Sequence, residues 1–328
     1  MKKVTNLSSG QDVDRREFLR RSTVLAAGGA AIIPSVGAMS SLCFAQPPAD
    51  DPPPSPFTIV PFQVPLPIPA VLSPLASARV KGKTIPPFVP GECFHGVAPE
   101  FSSLSQYEQF PLQYYRLNLV PTIHEFIPGV KTPVWSYNGI VPGPTFKTQI
   151  GQPIVVRASN QLNVETSIHL HGGHSPSHAD GFPTFYIDPG RERDYFYPNT
   201  VPLLNGSLDY SESVSTCWYH DHAMDITGFN AYHGLAGVYL SKDAIETALT
   251  GTVLPSDAYD IPMIFGDKRF NRDGTLYYDF LDHDGLLGDV FTVNGKVQPY
   301  LSVSKRKYRF RLCNASNSRI YEFRLSGG

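Results

Sequence analysis

The sequence predicts an all-β protein, on three observations. The 328 residues include 31 prolines and 27 glycines, which interrupt helical hydrogen bonding. There are also 17 tyrosines and 20 phenylalanines, residues that favour strands. Short alternating apolar runs are separated by turn signals, and these predict many brief strands. With 41% hydrophobic and 17% charged residues, the chain has the composition of an ordinary globular protein long enough for two cores.

The chain opens on Asp14-Arg15-Arg16-Glu17-Phe18-Leu19-Arg20-Arg21, followed by the apolar run Val24 to Ile33 and small-residue cleavage positions after Ala38 or Ala45. This pattern resembles a twin-arginine export signal over residues 1–45, which places the mature protein in the periplasm or outside the cell. The run falls short of the roughly 20 apolar residues that span a bilayer, and glycines and Pro34 break it. No stable membrane insertion is therefore expected once the signal is removed. The export route carries proteins already folded and often loaded with cofactor, which suits a metal enzyme.

Residues 46–56, Gln-Pro-Pro-Ala-Asp-Asp-Pro-Pro-Pro-Ser-Pro, read as an extended linker. Residues 57–110 stay proline-rich and are expected to wrap over a surface. Strands are predicted at Tyr114 to Val120, Thr145 to Ile150 and Pro153 to Ser159. In the last of these Ile154, Val156 and Ala158 alternate with Val155 and Arg157. Asn138-Gly139 and Pro142-Gly143-Pro144 supply turns.

Only Lys242 to Leu249 reads as a helix, just before a boundary-like stretch from Gly251 to Asp260. Two domains follow from this division, 57–250 and 251–328. In the second, Ile261 to Phe265 and Tyr308 to Leu312 read as strands. Asn294-Gly295 predicts a hairpin between Val290–Val293 and Val297–Val303. The second domain reads as incomplete at Gly328.

Six of the 27 Lys/Arg and three of the 29 Asp/Glu lie in residues 1–45, leaving 21 basic against 26 acidic residues. No basic footprint for nucleic acid remains. Of the four cysteines, Cys43 lies within the signal and Cys93, Cys217 and Cys313 are too scattered for a disulfide scaffold.

Six of the ten histidines fall between His169 and His222. They form two groups, Ser167-Ile168-His169-Leu170-His171-Gly172-Gly173-His174 and Thr216-Cys217-Trp218-Tyr219-His220-Asp221-His222. Each contains a His-X-His pair, and residues two apart on a strand share a face. The candidate metal ligands are therefore His169, His171, His220 and His222. Imidazole suits copper and zinc alike, whereas magnesium or calcium would require oxygen ligands.

His95, His124, His233 and His283 read as surface or satisfied core groups. His174 and His178 fall in a loop and stay outside the ligand set. Asp221 would face away from the ligands and orient a neighbour, and Trp218 and Tyr219 read as packing residues.

His-Leu-His-Gly-Gly and Trp-Tyr-His-Asp-His, in this order, resemble the first two copper motifs of multicopper oxidases. Trp135-Ser-Tyr-Asn-Gly-Ile-Val-Pro-Gly-Pro-Thr145, Ala179-Asp-Gly-Phe-Pro183, Leu254-Pro-Ser-Asp-Ala-Tyr-Asp-Ile-Pro262 and Tyr308-Arg-Phe-Arg-Leu-Cys-Asn-Ala-Ser316 are similar to the bacterial spore-coat laccase and bilirubin oxidase branch. The resemblance implies cupredoxin-like Greek-key β-barrels, one complete and a second incomplete. It also implies copper, with a cluster that reduces dioxygen to water using electrons from a phenolic or tetrapyrrole-like donor.

By that resemblance His169 would bind the cluster's solitary copper, and His171, His220 and His222 its coupled pair. The other four histidines and the blue-copper site would come from a third domain and a His-Cys-His segment not found in these residues, so no turnover is expected from the chain alone. Asp180 matches an acidic position that helps deliver protons, and it reads equally as an Asp-Gly turn residue.

Two other readings carry different expectations. A small blue-copper electron-transfer protein would use Cys217, His220 and Met224 and be intensely coloured. A zinc-dependent hydrolase would need a carboxylate base beside its histidines.

Overall fold

A computed structural model describes residues 53–75, 112–280 and 285–324, except 206 and 214, together with the short pairing of Val4–Thr5 with Asp12–Val13. The expected export signal, apart from that pairing, all of residues 76–111, His95 and His283 lie outside the described residues. The chain divides into a unit spanning Met1–Pro53 and a second spanning Pro54–Gly328. All that follows concerns the second unit.

Twelve of its described strands form three four-stranded mixed sheets, and Leu203–Leu204 pairs with Ser207–Leu208 in a separate two-stranded one. The first sheet contains β1 (Gln113–His124), β2 (Thr132–Tyr137), β4 (Ile154–Asn160) and β6 (Glu192–Tyr197), in the order β2-β1-β4-β6. The second contains β3 (Gly143–Gln149), β5 (Ile168–His171), β7 (Thr216–Asp221) and β8 (Ala236–Lys242), in the order β3-β8-β7-β5. These two sheets enclose one core, to which the first gives Tyr115, Leu117, Ile154, Val156 and Tyr195, and the second Phe146, Ile168, Leu170, Tyr219 and Tyr239.

Strand alternation explains which side chains reach this core. On β1, Tyr115, Leu117 and Leu119 are buried, whereas Arg116 between them is exposed. On β4 every residue is buried, so the expected alternation is absent. The Arg157 guanidinium is tolerated there because it donates to both Asp194 carboxylate oxygens of β6, at 2.7 and 2.5 Å.

The third sheet contains β9 (Asp260–Lys268), β10 (Val290–Val293), β11 (Lys296–Val297) and β12 (Arg309–Asn314), in the order β11-β10-β9-β12. Asn294 and Gly295 turn the β10–β11 hairpin with φ of 48° and 77°, the left-handed pair that an Asn-Gly turn adopts. The second strand of that hairpin is shorter than the expected Val297–Val303. One face of the sheet packs on β8, bringing Ile264 and Cys313 against Val238 and Leu240.

The proline-rich segment crosses from the third sheet to the first. Leu66 N donates to Tyr300 O, Leu72 N to Thr145 O and Leu75 N to Tyr114 O, at 2.7–2.8 Å.

Two α-helices stand among the described residues. α2 (Ala244–Leu249) is the expected one, capped by Asp243, whose carboxylate accepts from Glu246 N at 2.6 Å. α1 (Thr227–Tyr232) corrects the reading that only Lys242 to Leu249 is helical. Its six residues contain Gly228 and Asn230 and are too short to show an apolar period. Tertiary contacts hold it, with Phe229 edge-on to Trp135 at 5.3 Å and Asn230 bonded to Asp221. Neither helix, nor any other among the described residues, is long and apolar enough to cross a membrane.

Candidate metal centre

The two His-X-His pairs lie on neighbouring antiparallel strands. The register of β5 with β7 sets His169 opposite His220 and His171 opposite Trp218. On the other side of the same strands, Ile168, Leu170, Cys217 and Tyr219 enter the core. The period of two therefore sends His169, His171, Trp218 and His220 to one common face. His222 follows β7 directly and is fixed by its N–H, which donates to Ser167 O at 2.6 Å.

The four imidazoles converge. The His169 ring centroid lies 5.4, 5.5 and 5.1 Å from those of His171, His220 and His222, and His220 lies 5.6 Å from His171 and 5.7 Å from His222. One ring nitrogen from each of His169, His171 and His220 falls within 4.8 Å of the others. His222 stands just outside that tightest group and joins it through its ring contacts.

Hydrogen bonds assign the free nitrogens of two rings. His169 Nδ1 donates to Asp180 O at 2.5 Å and His220 Nδ1 donates to Asp221 O at 2.7 Å, which leaves Nε2 of each with its lone pair. His171 presents Nδ1 toward His220 Nε2 at 3.4 Å. Burial pushes the His220 imidazole down to about 4, and burial, then the neighbouring His169 and His222 rings, lowers His171. Both are therefore neutral at pH 7, the form that binds metal.

This donor set fits a metal of the copper or zinc class, since it is made of nitrogen alone. Nδ1 of His222 is buried and makes no hydrogen bond. Such an orphan costs free energy that a bound ion nearby would relieve.

Asp180 lies beside the His169 ring and at the start of a glycine turn. Its Oδ1 lies 3.4 Å from His169 Nδ1, and its carboxylate is about half exposed, at 46%. It also precedes Gly181, whose φ is 74° and where an added Cβ would come within 2.3 Å of Ile168 O. The turn thus needs glycine to bring Asp180 this close to β5.

Asp221 is buried and faces away from the ligands. Its Oδ2 accepts from Ser167 N at 2.9 Å, and its Oδ1 accepts from Ala223 N at 3.0 Å and Asn230 Nδ2 at 2.8 Å. Burial pushes its carboxyl up to about 7. Its side chain grips the backbone of both motifs, and its own carbonyl anchors the His220 ring. The sequence pointed to Asp221 but gave no sign of Ser167, Asn230 or Tyr195, whose hydroxyl accepts from Ile168 N at 3.0 Å. Only the fold brings these residues to the motif.

Cys217 lies in the core on the face opposite His220, and burial pushes its thiol up to about 11. A copper site built on Cys217, His220 and Met224 would need both faces of β7 at once, which disfavours the blue-copper reading. His124 Nε2 donates to Gly295 O at 2.6 Å and His233 Nδ1 to Phe229 O at 2.8 Å, so both are satisfied interior groups. His174 Nε2 bonds Glu212 O at 3.1 Å, away from the four rings. Tyr219 is a core residue, whereas Trp218 differs from the packing role expected of it and lies against the imidazoles.

A β-sandwich that presents two His-X-His pairs on adjacent strands defines a candidate multi-histidine metal site. Residues 120–244 match the multicopper oxidase family model, so over that span the chain is similar to this family. It is 37% identical over 245 residues to a laccase of Bacillus stratosphericus, covering 62% of this chain and 45% of that protein. It is 39% identical over 211 residues to the bilirubin oxidase of Albifimbria verrucaria, covering 63% of this chain and 34% of that protein.

Among solved structures, a laccase from Pediococcus acidilactici superposes with a TM-score of 0.59 at 26% identity, covering 78% of this chain and 48% of that one. The cupredoxin-like fold of such oxidases accords with the sheets described above. The chain spans less than half the length of these relatives.

Proposed function

We propose that the chain supplies half of a trinuclear copper cluster to a laccase- or bilirubin oxidase-like enzyme. His169 holds the solitary copper, and His171, His220 and His222 hold the coupled pair. Residues 57–250 form the cupredoxin-like domain that carries these ligands and residues 251–328 belong to a second. A third domain contributes the remaining ligands and the blue copper. The observation that carries this reading is the convergence of four imidazoles from two separate strands, every ring within 5.7 Å of His169 or His220.

Bound copper would supply the one-electron steps by which a small phenolic or tetrapyrrole-like donor is oxidised and dioxygen is reduced to water. The protein's part is to hold neutral imidazoles in place and to bring in protons. Carbonyls of Asp180 and Asp221 fix the His169 and His220 rings with Nε2 free. The half-exposed Asp180 carboxylate touches solvent and lies beside the His169 ring, so it can take a proton from water and hold it at Oδ1 next to the site.

Residues 1–45 direct export by the twin-arginine route. Replacing Arg15 and Arg16 with Lys should leave the protein in the cytoplasm in a cell-fractionation assay.

The central test is copper stoichiometry of the purified 328-residue chain after dialysis, measured by atomic absorption. Copper should be retained by the wild type and lost from His169→Ala/His220→Ala. Equal copper in both would end this reading. The same chain contains no His-Cys-His segment and should consume no dioxygen with a phenolic donor.

A further inference from the structure

Two of the four rings are steered by carbonyls, and His171 is not. Its ring makes no hydrogen bond to a carbonyl or carboxylate among the described residues. Its single hydrogen-bond contact is the 3.4 Å approach of Nδ1 to His220 Nε2, which faces one ligand nitrogen with another. His171 is also the exposed member of the group. An exposed imidazole without an anchor rotates about its side-chain bonds, and a ligand that must be ordered on binding weakens the site.

Trp218 supplies what is missing. It stands directly opposite His171 in the β5–β7 register and two residues before His220 on β7, so all three rings share one face. The indole stacks on His220 with centroids 4.2 Å apart and an interplanar angle of 27°, and on His171 at 5.4 Å and 29°. Its chain neighbours Cys217 and Tyr219 belong to the apolar core, whereas Trp218 belongs to no core cluster and is only half-buried. A large aromatic residue that leaves the core and lies along two candidate ligands is placed for them rather than for packing.

We propose that Trp218 is a positioning residue of the copper centre, whose indole face sets the ring planes of His171 and His220 in place of a hydrogen bond to His171. This rests on the reading of the four histidines as copper ligands. The flat face is the active feature, so phenylalanine should replace it in part and leucine should not.

Trp135 is the chain's one other tryptophan, so Trp135→Phe leaves Trp218 as the sole indole. On titrating that 328-residue variant with copper(II), its emission should fall in step with copper bound, because a copper ion on the stacked imidazoles quenches the indole against them. In parallel, copper affinity is measured by chelator competition and the ligand nitrogens by electron paramagnetic resonance. Trp218→Leu should bind copper on the order of tenfold more weakly, with altered nitrogen couplings, and Trp218→Phe should restore most of both.

Copper bound at these histidines with unchanged Trp218 emission would overturn the proposal and leave the copper reading intact, and this arm decides even if Trp218→Leu fails to fold. Wild-type affinity and couplings in Trp218→Leu would overturn it in the same way. Failure of the wild type to bind copper through His169 and His220 would remove both.

Discussion

Asp221 shows how a single side chain can hold together a candidate metal site without facing it. Three N–H donors converge on its carboxylate from Ser167, Ala223 and Asn230, one at the start of the first motif, one just after the second, and one on α1. Asp221→Ala leaves these donors buried and unpaired. It should lower stability by about 3 kcal/mol in urea unfolding, with Asp221→Asn costing less. Gly181 acts through shape alone. Gly181→Ala meets Ile168 O and a left-handed φ together, and should cost at least about 1–2 kcal/mol while loosening copper, measured by unfolding and chelator competition.

Lys268 is the residue whose protonation sets a pH dependence. It is buried, donates to Tyr232 O and lies 4.2 Å above the Tyr232 ring. Burial pushes its ammonium down to about 7 from 10.5. Below pH 7 both folded and unfolded chains carry the charge, and the fold bears the cost of burying it. Between pH 7 and 9 the unfolded chain holds the proton and the folded one releases it, so stability rises with pH. Above 9 the thiols of buried Cys217 and partly buried Cys313, raised to about 11 and 12, oppose the trend. Lys268→Met should abolish the rise between pH 7 and 9, seen as equal urea midpoints at the two ends.

At the scale of elements, β12 fastens the third sheet to the strand that carries His220. Arg311 donates to both Asp260 oxygens at 2.7 and 2.6 Å, to Glu246 Oε1 at 2.5 Å and to Thr216 Oγ1 at 2.8 Å. Asp260 opens β9, Glu246 lies on α2 and Thr216 opens β7, so one guanidinium joins four elements. Arg311→Met would leave the buried Asp260 and Glu246 carboxylates sharing only the partly exposed Arg309 guanidinium. It should destabilise the chain by about 3–5 kcal/mol, measured by thermal or urea unfolding.

β12 was legible in the sequence as Tyr308 to Leu312, because its alternation is visible locally. The purpose of Arg311 was not, since its partners lie 51 to 96 positions away. α1 was missed for the related reason that its stability comes from Asp221 and Trp135 rather than from its own residues.

On the scale of the whole molecule, the third sheet has one face against β8 and the other turned outward. Phe310 is 43% exposed and Leu312 47%, alternating on β12 with the buried Arg311. A strand at a sheet edge with exposed apolar side chains invites pairing with another chain. The 328-residue chain should therefore self-associate, and Phe310→Lys/Leu312→Lys should lower its light scattering without loss of the β-sheet signal in circular dichroism.

By itself the sequence determined the class of fold, most strand positions and which four histidines are candidate ligands. Those properties rest on local chemistry: the period of two, the Asn-Gly and Pro-Gly turns, and the His-X-His spacing that puts two imidazoles on one side of a strand. Only the tertiary structure decided that β5 and β7 are neighbours in a register that merges the two pairs. It alone showed that Asp221 is a tie between motifs and that Trp218 leaves the core for the imidazoles. Each of these depends on contacts between residues dozens of positions apart, and pairing across such distances is set by how two sheets close over a shared core.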